Sequence, residues 1–85
     1  MKKGYFVGYN MPGYMPDNEP EYCESLEDAK ECLLTDLTHY REDLNLDHDQ
    51  EHVDQLTHLI NEIEKAPAQV CNVYIANYVF WINEE

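Results

Sequence analysis

The chain has 85 residues, 44% of them hydrophobic, enough for one domain with one modest core. Five Lys and Arg stand against 18 Asp and Glu, and the net charge of −13 argues against direct nucleic-acid binding, since phosphate contacts need cations. Three cysteines at irregular spacing, with no C-x-x-C, argue against a disulfide framework and point to reduced thiols in a cytosolic compartment.

The opening "MKKGYFVGYN" has two lysines but no long apolar run, so it does not read as a signal peptide. No stretch approaches the ~20 apolar residues of a membrane span. Gly4 to Tyr9, "GYFVGY", is short, aromatic and β-prone, and reads as a strand. Gly8 to Tyr22 then reads as a loop with three of the four prolines. It also carries Met11, Tyr14 and Met15, apolar side chains that favour folding across a sheet face over staying in water.

"SLEDAKECLLTDLTHYREDLNL" opens on Ser25, with Asp28 three residues on, close to a capping box. Leu26, Ala29, Leu33, Leu37, Tyr40 and Leu44 recur at three- and four-residue steps, which predicts an amphipathic helix. "LDHDQEHVDQLTHLINEIEKAP" repeats the pattern. Asp47 or Asp49 caps it, and Val53, Leu56, Leu59, Ile60 and Ile63 form the stripe. Lys65 suits the last turn, and Pro67 ends the helix. So short a connection predicts an antiparallel helical hairpin.

"QVCNVYIANYVFWINEE" is β-branched and aromatic, and a turn at Ala76-Asn77 makes it a hairpin, with Asn77 suited to positive φ. That register pairs Ile75 with Tyr78, Val73 with Phe80 and Cys71 with Ile82 on one apolar face. Asn72, Tyr74, Val79 and Trp81 fall on the other. Glu84 and Glu85 read as a mobile end. The expected fold is α+β in order β-α-α-β-β, residues 1–85 as a single domain. It has two layers, an antiparallel helical hairpin packed on a three-stranded, mostly antiparallel sheet.

Motifs for chemistry are lacking. His48 and His52 have helical spacing, but "HDQEH" is not H-E-x-x-H, and no metal site is expected. The glycines form no phosphate loop, and "DHDQEHVDQ" is no EF-hand. Cys32 and Cys71 fall on apolar stripes. Cys23 lies among Glu19, Glu21 and Glu24, which suppress a thiolate. No carboxylate pair stands out as acid and base. The expectation is a protein without catalytic residues or cofactor.

The acid distribution is the remaining signal. Residues 17–64 hold 16 acids and only Lys30 and Arg41. Glu24, Glu27, Asp28 and Glu31 step along the first helix, while Asp47, Asp49, Glu51 and Asp54 gather at the start of the second, with Glu42 and Asp43 across the turn. Carboxylates four apart on a helix lie about 6 Å apart along its axis, a scale that imitates successive phosphates.

The opening strand, the segment "GYMPDNEPEYCESLEDAKECL" and the aromatic C-terminal hairpin resemble small acidic phage-encoded proteins, a group that includes anti-CRISPR and anti-restriction inhibitors. The resemblance implies a non-enzymatic inhibitor acting in the host cytoplasm. Its partner would be a basic protein surface of a nucleic-acid-binding host complex. Beside those acids, Tyr14, Tyr74 and Trp81 are the candidate aromatic anchors. The alternative is an adaptor module that uses the aromatic sheet face, with a homodimer as one form of it. A third reading is a small metal-binding protein through His48 and His52.

Overall fold

A computed structural model describes residues 4–13 and 19–85. In chain order they form β1 (Tyr5–Asn10), β2 (Glu21–Cys23), α1 (Leu26–Leu46), α2 (Gln50–Lys65), β3 (Cys71–Ile75) and β4 (Tyr78–Glu84). The sheet has four strands, not the expected three, in the order β2-β1-β4-β3, and every pair is antiparallel. The added strand is the end of the long loop. "EYC" is too short for a visible alternation, and it is a strand because Tyr5, Phe6 and Val7 pair with Cys23, Tyr22 and Glu21. The loop residues Tyr14 and Met15 lie outside the described residues.

The hairpin register is the one expected, with Ile75 opposite Tyr78, Val73 opposite Phe80 and Cys71 opposite Ile82. The turn differs in one detail. Ala76, not Asn77, takes positive φ, at 51°. β1 lies beside β4, with Val7 opposite Ile82 and Tyr9 opposite Phe80.

Both helices pack on the same face of the sheet. Val7, Phe80, Ile82 and Ile75 meet Ala29, Leu33, Leu37 and Leu44 of α1 and Leu56 and Ile60 of α2 in one core. α1 starts at Ser25, whose Oγ accepts the Asp28 N–H at 3.2 Å. α2 starts at Asp49 rather than Asp47, which instead caps the end of α1. His48 between them turns the chain with φ of 60°. Lys30 Nζ donates to the Glu64 and Ala66 carbonyls at 3.0 and 2.6 Å, so a cation of α1 closes the C-terminal end of α2.

The opposite sheet face carries Phe6, Tyr22, Tyr74 and Trp81. Two glycines seat its rings. A Cβ on Gly8 would meet Trp81 Cζ2 at 2.5 Å, and one on Gly4 would collide with the Tyr22 ring. The indole Nε1–H donates to Asn10 Oδ1 at 2.7 Å. Val79, expected to stand exposed there, is buried, with Asn10 and Tyr74 as its ladder neighbours. The C-terminal end is held too. Glu85 N–H donates to Gly4 O at 2.9 Å, and Glu85 Oε2 accepts from Gly4 N and the Tyr22 hydroxyl.

Candidate functional site

The strand added by β2 creates the most distinctive surface of the molecule. It lies along one flank of α1, and an open cleft of about 510 Å³ runs along their junction. The wall includes Glu21, Glu24, Asp28, Glu31 and Asp36, together with Cys23 and Cys32, and among the described residues it contains no Lys or Arg. Glu24, Asp28 and Glu31 were among the acids singled out in the sequence, and the structure brings them together here.

The described cations lie elsewhere. Lys30 is held at the end of α2, and Arg41 Nη1 donates to Thr57 Oγ1 at 3.4 Å, between the helices. Among the described residues no Lys or Arg forms an ion pair with a carboxylate. Among the described residues, no cation cancels the negative field of this flank.

Asp36 is, beside Glu21, a cleft acid that sequence reasoning missed. It is half-buried, and it is shared between the acidic cleft and a second one of about 290 Å³. Burial, and then the neighbouring Glu21 charge, push its carboxyl above the usual range, while His39 pulls it back. An acid with a raised folded pKa weakens the fold once ionised. That penalty is full above the folded pKa and vanishes below the ordinary value near 3.8. Asp36→Asn is thus expected to melt higher than the parent at pH 7. The gain should disappear in melts below about pH 4, where both chains carry a neutral group.

The second cleft is aromatic. Tyr9, Tyr40, Tyr78 and Phe80 line it, with Asp36, His39 and Asp43 at its edge. Tyr9 stacks on Phe80 with centroids 5.1 Å apart, and Tyr40 meets Tyr78 edge-on at 5.3 Å. Burial, followed by the charges of Tyr78, Asp49 and Asp43, raises the Tyr40 hydroxyl above its ordinary range.

The other expected residues scatter. Glu27 lies in the adjoining groove with Lys30 and Glu64, Glu42 is exposed, and Asp47 and Asp49 serve as helix caps. The His52 ring lies 2.7 Å from Asp49 Oδ2, and that hydrogen bond lowers the aspartate's pKa. Tyr14 lies outside the described residues. Tyr74 is 69% exposed, and Trp81 is half-buried over Gly8. Both are on the sheet face opposite the helices, so they and the α1 acids cannot meet one flat partner surface together.

Cys23 Sγ lies 3.4 Å from Cys32 Sγ. Burial, the contact with Cys23 and the nearby Glu21 push the Cys32 thiol up to about 12. Among the described residues no group of three or more His, Cys, Asp and Glu is placed to hold a metal ion. Among them also no helix is long and apolar enough to cross a membrane. Comparison with protein-family models, curated proteins and solved structures found no match to the chain.

Proposed function

We propose that the protein is a non-enzymatic inhibitor of phage type that occupies a basic, nucleic-acid-binding surface of a host nuclease or defence complex. One observation carries this reading. Five carboxylates line a single open cleft, and none of the described residues of its wall is a cation. Such a cleft attracts Lys and Arg side chains that otherwise hold phosphates, and it speeds their approach. The adjoining aromatic cleft supplies what charge alone lacks, an apolar anchor beside a carboxylate. Tyr9, Tyr40 and Tyr78, seated on the buried Phe80, take that part in place of Tyr74 and Trp81.

The test starts with capture of the partner from host lysate and competition with duplex DNA or guide RNA. Association is then timed with the triple variant Glu24→Lys, Asp28→Lys, Glu31→Lys. The expected result is an on-rate lower by roughly tenfold or more at low salt, with a smaller gap at high salt. Glu51→Lys, exposed on α2 and away from the cleft, is the control and should change little. Glu85 is unsuitable as a control, because it hydrogen-bonds Gly4 and Tyr22. Normal association by the triple variant would sink the reading.

A second reading has its own support. Tyr74 and Tyr22 are 69% and 51% exposed on the outer sheet face. An adaptor that docks there, or a homodimer through it, would bind with little salt dependence, and Tyr74→Ala would abolish it.

A further inference from the structure

The structure assigns a second chemistry to the acidic cleft: Cys23 and Cys32 form a dithiol–disulfide couple that reacts preferentially with cationic aliphatic disulfides. The assignment is independent of any protein partner.

Three observations carry it. The two sulfurs are 3.4 Å apart, so about 1.4 Å of approach completes a bond of ~2.05 Å. The third thiol is remote. Cys71 lies on β3, at the opposite edge of the sheet from Cys23 on β2. Three strand spacings place these edges about 14 Å apart, beyond the ~7 Å between Cα atoms that a bridge allows. Finally, the pair opens onto a cleft ringed by Glu21, Glu24, Asp28, Glu31 and Asp36. Cys23 is buried and Cys32 is partly exposed, so Cys32 meets the reagent.

The steps balance as two exchanges. The Cys32 thiolate attacks one sulfur of the reagent R–S–S–R, forms the mixed disulfide Cys32–S–S–R and expels one RS⁻. The Cys23 thiolate then attacks Cys32 Sγ, forms the Cys23–Cys32 bond and expels the second RS⁻. The two thiol protons end on the two departing thiolates. The protein is oxidised by two electrons, and the reagent is reduced by two.

The cleft also sets the rate. Burial, the contact with Cys23 and the nearby Glu21 keep the Cys32 thiol protonated at pH 7, so reaction is slow there and speeds up with pH. An ammonium-bearing disulfide is drawn in by the same acids that repel oxidised glutathione, which carries net negative charge. The product ties the edge strand β2 to α1 across a closed loop of ten residues, Cys23 to Cys32.

The test uses the full chain, reduced and desalted, treated with cystamine or oxidised glutathione at pH 8. Products are trapped with iodoacetamide and mapped as peptides by mass spectrometry. The expected outcome is a Cys23–Cys32 link with alkylated Cys71. It should form roughly tenfold faster with cystamine at low salt, and the gap should narrow at high salt. The oxidised form should melt higher by roughly 10 °C and return to the parent value with a phosphine reductant. Cys23→Ser should stop at the mixed disulfide on Cys32. Links through Cys71, or mixed disulfides without closure in the parent, would overturn the couple. Equal rates for the two reagents at low salt would overturn the selectivity.

Discussion

Phe80→Ala is expected to lower the stability of the protein by about 3–5 kcal/mol. Phe80 is 1% exposed and is the largest fully buried side chain among the described residues. It joins both layers, with its ring against Tyr9 of β1 and Tyr40 of α1, 5.1 and 5.4 Å between centroids. Truncation leaves a void that the central strand β4 cannot close, because β1 and β3 hold it on both edges. A domain of this size has only about 5–15 kcal/mol in hand, so most of the margin goes. Urea denaturation should show a lower midpoint at unchanged slope. Asn72→Ala, on the exposed side of the same hairpin, should stay within about 0.5 kcal/mol. Equal losses would mean that the hairpin faces the other way.

Gly8→Val should cost about 3 kcal/mol, against the direction that strand propensity predicts. Valine suits a strand interior better than glycine by up to ~1 kcal/mol. Here its Cβ would meet the Trp81 ring at 2.5 Å, and the pairing of Gly8 directly opposite Trp81 on β4 keeps the backbone from retreating. The indole must leave its seat and lose the 2.7 Å bond to Asn10. Crowding and the lost hydrogen bond together exceed the propensity gain. The check is a double-mutant cycle. In a Trp81→Ala background, Gly8→Val should be neutral or stabilising, and a persistent loss there would place the strain elsewhere.

The helices and the C-terminal hairpin were legible because their signals are local. The stripe from Leu33 to Leu44, the Ser25 cap and the alternation of Val73, Ile75, Phe80 and Ile82 each show within a few residues of sequence. β2 was not legible, because Glu21–Cys23 is a strand only through its pairing with β1. Everything built on β2 was hidden with it. Cys23 and Cys32 are nine apart in sequence and look unrelated until the edge strand turns one towards the helix. Asp36 read as one acid among 16, and its half-burial follows from Glu21 and Tyr9 closing around it. Tyr9 read as the last residue of a strand, and its stack on Phe80 depends on the cross-strand register. The Glu84-Glu85 end looked free because nothing local in the chain predicts the return of Glu85 to Gly4.

The chain has one tryptophan, and it lies on the side of the sheet away from the acidic cleft. The protein therefore contains its own optical reporter, and one that knows which side it is on. Excited selectively above the tyrosine absorption band, Trp81 emits from a half-wet seat over Gly8. A macromolecule settling on the sheet would strip water from the indole and move its emission to the blue. One that grips the helices would leave the spectrum where it was, so a single unlabelled titration distinguishes the two binding modes.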